Sequence, residues 1–358
     1  MKRFITTLTV LAVMVLLGCE KYESPVAPPQ EQQVQSTSTL DSKASLSKLK
    51  EKIEAGKTQI AERAAALKMQ AAKKRQNHVP QIAASGKITV PSSGFPTIQS
   101  AVDAAAPGTK IIVKNGTYTE EVVVFTDNLT ITAAKKGQAH LIGGFVVSGV
   151  TKGKIEGFDI TGTVFLEECI QVEVKDNEVK EGAGITLFGS VSCQVKDNVV
   201  HDILDIGLFA PTGISIYFGG KHLVKDNVAH TNIVGILVLG GLEGDTNPSA
   251  GKNVISSNEC NGNQAGIVLY GSHENDLGDN ECNSNLLVGI YLLLGSDRNK
   301  IGSNNKADIN GEYGILLEAG SDNNTFKKNR ARGNGNCDLN NHGTGNTFTQ
   351  NNFGSVCS

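Results

Sequence analysis

NVISSNECNGNQAGIVLYGSHENDLGDN, residues 253–280, contains the same six-residue pattern twice. The pattern is asparagine, any residue, an apolar residue, any two residues and a second asparagine, and it returns after about 22 residues. Further copies follow at residues 299–304, 324–329 and 346–351, and copies that keep the apolar residue and the closing asparagine begin at residues 172–177. Repeats of this length are typical of solenoids, in which each coil buries its apolar face against its neighbours.

The asparagines of the repeat have a structural explanation. An asparagine at a tight bend can adopt left-handed φ and pass amide hydrogen bonds from coil to coil. We predict two ladders, and the opening one has Val172, Cys193 and His222 in its early coils, where later coils have asparagine. The closing ladder comprises Asn177, Asn198, Asn227, Asn258, Asn280, Asn304 or Asn305, Asn329 and Asn351.

A Gly-Ile step is the second fixed point of each coil. In most coils it lies about fifteen residues before the closing asparagine, and it is followed by residues that alternate between the two faces of a strand. The side chains predicted to point into the core are Ile185/Leu187, Ile214/Ile216, Ile236/Val238, Ile267/Leu269, Ile290/Leu292 and Ile315/Leu317.

These repeats resemble those of right-handed parallel β-helix proteins, the pectin lyase-like superfamily, and especially its NosD-like members. FPTIQSAVDAAAPGTKIIVKNGTYTEEVVV, residues 95–124, is similar to the amino-terminal cap of that superfamily, and residues 334–357 resemble a closing coil. The resemblance implies an all-β fold, a right-handed single-stranded parallel β-helix solenoid over residues 92–358. It is weak for chemistry, because this fold carries lyases, hydrolases, epimerases, esterases and binding proteins.

The amino terminus resembles a bacterial lipoprotein signal. Lys2 and Arg3 precede an apolar stretch, which ends in Leu-Leu-Gly-Cys at Cys19. We predict a signal peptide over residues 1–18 and a lipid on the Cys19 thiol; the alternative is an ordinary secretory signal that contains a cysteine. Glu20 after the cysteine favours the outer membrane in a cell with two membranes. The location predicted is extracytoplasmic, on the periplasmic or surface face.

The residues between this signal and the repeats predict a tether and a helix. Residues 19–45 are rich in Gln, Ser, Thr and Pro, which is typical of a solvated tether. Apolar residues recur at helical spacing from Leu46 to Leu67, which predicts a helical stalk or linker over residues 46–77. The stalk could be a single helix or could self-associate, because only one of the two heptad seams is apolar.

Six cysteines remain after Cys19. Cys260 and Cys282 hold the same place in adjacent coils, where other coils carry small apolar residues, so they are either stacked core residues or a cross-coil disulfide. Cys337 and Cys357 are candidates for a disulfide at the carboxy-terminal end. The pairing of Cys169 and Cys193 stays open, and no C-x-x-C motif of a zinc or redox site is present.

An apolar stripe is predicted on the outside of the solenoid. The outward positions beside the Gly-Ile step are mostly apolar, and they include Phe188, Tyr217, Tyr270 and Tyr291. Such a stripe is either covered, by an apolar loop at Ile203–Pro211 or by the Leu46–Leu67 helix, or it binds sugar rings or a protein partner. A second loop insertion, Gly241–Gly251, lies in the next coil, and loops of this kind often form binding sites.

His201, His230 and Asp202 are the weak candidates for catalysis. Both histidines follow their ladder asparagines by three residues and should stack in adjacent coils. Such a pair could serve general acid/base chemistry, hold a metal or simply form part of the surface. The Lys-Asp pairs at residues 175–176, 196–197 and 225–226 predict a surface charge ladder; calcium would need carboxylates without interleaved lysines. No cofactor is evident, and calcium stays an alternative that these residues do not support.

The catalytic motifs of the superfamily's enzymes are missing from the sequence. A net charge of −3 with few aromatic residues gives no electrostatic reason to expect nucleic-acid binding. The function predicted is that of a lipid-anchored β-helix protein that binds an extended ligand, most plausibly a polysaccharide. The alternatives are a polysaccharide lyase, hydrolase or epimerase that uses His201, His230 and Asp202, and a structural adhesin or NosD-like assembly factor that docks on a cell-surface protein.

Overall fold

The computed structural model describes residues 44–56, 62, 69, 73, 86–203, 211–240 and 251–357. They form a β-solenoid of about 11 turns with parallel strands, which confirms the predicted right-handed parallel β-helix. The predicted signal peptide and Cys19 lie outside these residues, as do residues 20–43 of the predicted tether and most of both loop insertions. The described residues contain no helix that is long and apolar enough to cross a membrane.

One parallel sheet, here called sheet A, has twelve strands. Each coil adds one strand, and the apolar residue of the repeat pattern lies at its centre; Val195, Val224, Ile255 and Leu277 pair in successive strands. The strands are Lys87–Val90, Lys110–Val113, Leu129–Ala133, Thr151–Glu156, Ile170–Lys175, Gln194–Lys196, Leu223–Lys225, Val254–Ser256, Asp276–Gly278, Lys300–Ile301, Thr325–Lys327 and Thr347–Thr349.

A second sheet, sheet B, contains the strands that follow the Gly-Ile steps, and two short strands extend it onto a third face of the coil. Four of its strands, at residues 212–217, 234–239, 265–270 and 288–293, are buried on both faces. Its strands are Gly116–Val124, Ala139–Ser148, Asp159–Glu167, Glu178–Phe188, Val199–His201, Thr212–Tyr217, Val228–His230, Val234–Leu239, Ala265–Tyr270, Val288–Leu293, Tyr313–Leu317, Cys337–Asn341 and Val356–Cys357. A separate pair consists of Arg330–Ala331 and Asn352–Phe353.

The core fills the inside of the coils. The predicted inward residues of sheet B are all buried, and they pack with the central residues of sheet A in one continuous cluster. In-register stacking explains this continuity, because Ile214, Ile236 and Ile267 pair directly in successive strands. Apolar burial is the dominant favourable term in such a fold.

The closing asparagine ladder is confirmed, and it continues through Asn305 rather than Asn304. The Asn280 backbone amide donates to Asn305 Oδ1 at 3.0 Å, and Asn305 Nδ2 donates to Asn329 Oδ1 at 2.9 Å. Asn304 is exposed instead. The reason is geometric, because Asn304 itself takes the left-handed turn conformation (φ 62°) and its neighbour turns inward. The turn residue and the ladder residue are thus adjacent.

The amino-terminal end is closed by a helix of seven residues, Ile98–Ala104. Thr97 and Ser100 form a capping box, and the helix buries Ile98, Ala101 and Val102. A short capping helix was predicted here, but the sheet starts earlier than residue 92. The strand Lys87–Val90 precedes the helix and pairs in parallel with Lys110–Val113.

Four cysteines are reduced and buried: Cys169, Cys193, Cys260 and Cys282. Burial raises the pKa of the Cys169 and Cys193 thiols to about 12 and about 11, respectively, so both stay protonated at neutral pH. Cys337 and Cys357 are joined in a disulfide with a Cα–Cα distance of 6.0 Å. The last coil is therefore linked covalently to the strand below it.

An amphipathic helix, here called α1, is formed by residues 44–56. Leu49 and Ile53 are only 1% exposed, and Leu46 is half-buried on the same face. These residues lie three and four positions apart, the spacing that places side chains on one face of a helix. Residues 46–56 of the predicted stalk are therefore packed against the solenoid.

Candidate ligand-binding surface

The predicted apolar stripe is the outer face of sheet B, and α1 covers it. Leu49 and Ile53 belong to the same buried cluster as Tyr217, Tyr270 and Tyr291. A helix of this length spans about 20 Å, close to the width of five strands at about 4.8 Å each. Of the two covers considered from the sequence, the helix is the one that the described residues show.

An ion pair and a hydrogen bond add polar contacts to this interface. Lys50 of α1 pairs with Glu318, and the Tyr291 hydroxyl donates a hydrogen bond to the same carboxylate. Burial, and then the bond to Glu318, raise the pKa of Tyr291, so its hydroxyl stays protonated. One carboxylate therefore joins the helix to the strand face.

Of the two alternatives for the stripe, covered or available for binding, the described residues show the covered one. Tyr217 and Tyr270 are 2% exposed and Tyr291 is 0% exposed, while Phe188 is half-buried. The physical reason is that a contiguous apolar face of this size is stabilised by covering it, and α1 supplies matching apolar side chains. With α1 in place, the three tyrosine rings cannot stack on sugar rings.

The predicted histidine cluster is assembled as expected. The rings of His201 and His230 are stacked, with centroids 5.0 Å apart and planes 8° from parallel. Asp202 Oδ2 lies 2.7 Å from His201 Nδ1, and Glu178 Oε1 lies 3.2 Å from His201 Nε2. Sequence reasoning missed Glu178, which comes from the preceding coil and pairs with Val199 in the sheet.

The same column of side chains continues away from the histidines. Lys180 Nζ lies 2.8 Å from Asp159 Oδ1, and His140 Nδ1 lies 2.7 Å from Asp159 Oδ2. Burial by itself raises the pKa of Asp159, but the hydrogen bonds from Lys180 and His140 outweigh it and lower that pKa. Charges alternate along this column, as in a surface ladder.

The predicted Lys-Asp ladder lies on another edge of the solenoid. Lys175 Nζ is 3.3 Å from Asp176 and 3.8 Å from Asp197, so one lysine bridges two coils. The pair Lys225–Asp226 is closed at 3.0 Å. Exposed pairs of this kind contribute little to stability.

A groove that sequence reasoning missed lies at the turn after the strands of sheet B. It has a volume of about 410 Å³ and crosses five successive coils. Glycines form its floor, and exposed charged side chains border it. The lining residues are Gly189, Val191, Phe218, Gly219, Gly220, Lys221, Gly251, Lys252, His273, Glu274 and Arg298.

The depth of the groove depends on glycines at Gly219 and Gly220. A Cβ at Gly219 would lie 2.1 Å from the carbonyl oxygen of Ser190, and one at Gly220 would lie 2.3 Å from that of Gly251. Neither position can carry a side chain without moving the backbone of a neighbouring coil. The floor is therefore formed by bare main chain.

The charged border arises from one turn position repeated in successive coils. Lys221, Lys252, Glu274 and Arg298 all have left-handed φ between 54° and 60°. Their backbone amides bond to carbonyls of the next coil, so the side chains emerge at steps of about 4.8 Å. Sequence analysis could have found this column by aligning the residue immediately before the opening position of each repeat.

The charge of this border is net positive. Glu274 lies 3.5 Å from Lys252 and 3.8 Å from Arg298, so it offsets part of both charges. Within the described ranges, no carboxylate lies at ion-pair distance from Lys221. His273 Nδ1 accepts a hydrogen bond from the Asp297 backbone amide at 3.3 Å, and partial burial lowers its pKa. His273 is thus a neutral donor at neutral pH.

Fold and repeats together define the class: the chain is a right-handed parallel β-helix protein. Residues 209–357 match the family described as periplasmic copper-binding protein (NosD). No curated protein sequence matches the chain.

Two solved structures are similar to this fold. The A-module of the Azotobacter vinelandii mannuronan C-5 epimerase AlgE4 superposes with a TM-score of 0.54 at 14% identity, over 73% of this chain and 92% of that one. Pectate lyase Pel9A superposes with a TM-score of 0.50 at 13% identity, over 78% of this chain and 80% of that one. At this identity the likeness concerns the fold alone.

Copper binding, named in the family description, does not fit the side chains seen here. Across the described parts of the chain, no group of three or more His, Cys, Asp or Glu side chains is placed to hold a metal. The four reduced cysteines are buried in the core, and the stacked rings of His201 and His230 face one another.

Proposed function

We propose that the protein is an extracytoplasmic, lipid-anchored β-helix protein that binds an extended acidic polysaccharide in the groove beside sheet B. The groove itself carries this proposal. It is long enough to cross five coils, its floor is bare main chain, and its border is net positive. A cleft with a net positive border concentrates ligands of the opposite sign.

The spacing of the border suits a polymer better than a small anion. Lys221 and Lys252 lie on adjacent coils at a step of about 4.8 Å. Arg298 lies two coils beyond Lys252, after Glu274, so the three cations can contact several negative groups of one chain at once. Arg298 can bind a carboxylate or sulfate through two parallel hydrogen bonds. His273 and backbone groups of the floor add neutral hydrogen-bonding partners for hydroxyls.

The comparisons support the class of ligand and the location. The names of the two similar structures refer to mannuronan and pectate, which are acidic polysaccharides. The family matched by residues 209–357 is described as periplasmic, in agreement with an extracytoplasmic location. Anchoring rests on the lipoprotein signal that ends at Cys19, and on the outer-membrane preference that Glu20 indicates.

The test measures binding of polygalacturonate, with dextran as the neutral reference polymer. The variant Lys221→Glu/Lys252→Glu should lose at least about tenfold in affinity for polygalacturonate, while Lys110→Glu/Lys327→Glu, which changes net charge equally at exposed sites elsewhere, should bind nearly as the wild type does. Equal loss in both variants would assign the binding to net charge and remove the groove from the proposal.

A polysaccharide lyase, hydrolase or epimerase is the second candidate, and the contacts of His201 favour it. Its ring lies between two carboxylates and against His230, as an acid/base pair would require. Mass spectrometry of polymers incubated with the protein should then show products that disappear in His201→Ala. The third candidate, docking of a cell-surface protein on the apolar stripe, would require α1 to leave that face.

A further inference from the structure

The row of aromatic residues under α1 adjoins the groove. Phe188, Tyr217, Leu239 and Tyr270 pair in register in four successive strands. The residue after Tyr217 is Phe218, which lines the groove and also packs against the buried cluster. The covered face and the open groove are therefore two parts of one continuous surface.

We propose that α1 is a displaceable cover over a second, aromatic subsite, and that this subsite takes the apolar faces of sugar rings in a polysaccharide bound along the groove. Tyr217 and Tyr270 are the stacking residues, and Phe218 connects them to the groove. The proposal rests on the proposed function of the groove and adds a second contact area to it.

The contacts between α1 and sheet B are few enough for the helix to be displaced. Leu49 and Ile53 are its fully buried side chains, and its ion pair through Lys50 is partly exposed, with side-chain exposures of 39% for Lys50 and 24% for Glu318. A helix of this length is marginal by itself, so its order depends on the contact. Displacing it leaves the strand pairing and the inner core unchanged.

The covered face contains polar groups as well as apolar ones. Thr186 Oγ1 and Ser215 Oγ lie 3.0 Å apart and both are buried, next to the tyrosine row. Burial raises the pKa of Tyr217, although Ser215 bonds to its hydroxyl. Tyrosine combines an apolar ring with a hydroxyl, as sugar recognition requires. Once α1 leaves, hydroxyls of a ligand can bond to these groups.

The experiment uses the full-length protein and two matched double variants of α1. Leu49→Glu/Ile53→Glu places charges on the buried face, whereas Ser47→Glu/Ala55→Glu adds the same charge to the exposed face. The chain contains no tryptophan and six tyrosines, so quenching of tyrosine fluorescence by acrylamide reports the exposure of the row. Only the first variant should show increased quenching.

The second readout is binding of oligogalacturonate long enough to extend beyond the groove. Leu49→Glu/Ile53→Glu should bind at least about tenfold more tightly than the wild type, and adding Tyr217→Ser/Tyr270→Ser should remove the gain. Increased quenching without tighter binding would overturn the subsite and leave the groove proposal intact. If the wild type binds no acidic polymer, the proposed function fails, and a gain by the opened variant then still supports the aromatic subsite.

A milder variant covers the case in which the double substitution prevents folding. Lys50→Glu places a second negative charge next to Glu318. The repulsion between the two carboxylates should partly detach α1 from sheet B. This variant should then show intermediate quenching and intermediate affinity. Unchanged affinity despite greater quenching would again overturn the aromatic subsite.

Discussion

His222 accepts a hydrogen bond from the backbone amide of Cys193 through Nδ1, at 3.1 Å. In later coils the corresponding acceptor is asparagine Oδ1, and the His222 amide itself donates to Asn253 Oδ1 at 2.9 Å. The opening ladder therefore begins with an imidazole, in the coil before Asn253, its first asparagine. This bond requires the neutral ring, since a protonated Nδ1 cannot accept.

The first prediction concerns stability between pH 6.5 and 4. Burial lowers the pKa of His222 from 6.5 to about 4, despite its hydrogen bonds to the Ser190 and Cys193 backbone. Because the folded pKa is the lower one, the contribution is present above pH 6.5 and is lost as pH falls toward 4. A loss of about 3 kcal/mol is expected from this group.

His222→Asn should restore the asparagine ladder and remove this part of the pH dependence. The measurement is urea unfolding at pH 7, 5.5 and 4.5 for both proteins. Parallel pH profiles for the wild type and the variant would contradict the assignment to His222.

The second prediction uses the neighbouring residues Asn304 and Asn305. Asn305→Ala leaves the Asn280 amide and buried carbonyl groups without their partner, so it should lower the free energy of unfolding by about 1–3 kcal/mol or more. Asn304→Ala, at an exposed position, should cost less, although it loses a left-handed residue and a bond to Asp279. Equal losses in chemical unfolding would contradict the ladder.

The third prediction concerns the floor of the groove. Gly219→Ala must displace the backbone at Ser190 and should be destabilising, with a lowered Tm. Gly278→Ala is the matched control in sheet A, because its nearest neighbour would be 3.8 Å away. We expect the control to melt at the wild-type temperature or above. Thermal unfolding followed by circular dichroism measures both.

The fourth prediction concerns the last coil. Cys337→Ala/Cys357→Ala opens a covalent loop of 20 residues and should lower the free energy of unfolding by about 3 kcal/mol. Cys260→Ala/Cys282→Ala, at two buried reduced residues, loses packing but no crosslink. Adding a reducing agent should destabilise this second variant and leave the first one unaffected. Destabilisation of both by the reducing agent would place a further disulfide elsewhere.

The sequence by itself determined the solenoid, because each repeat can be recognised from residues that are close together in the chain. Apolar residues at a fixed offset from an asparagine, and alternation after each Gly-Ile step, place the same side chains inside every coil whatever the rest of the chain does. The stacking of His201 on His230 followed from the same register. Such contacts depend only on nearest-neighbour coils.

Only the tertiary structure decided which residues of the outer surface are covered and which lie together in a candidate site. The sequence identified Tyr217, Tyr270 and Tyr291 as an apolar stripe but left open whether it is covered, since α1 and the stripe are far apart in the chain and no repeat relates them. Glu178 beside His201, and the groove bordered by Lys221, Lys252 and Arg298, likewise depend on turns that bring single residues of different coils together. A periodic pattern specifies the core, whereas a surface site depends on the residues that break the period.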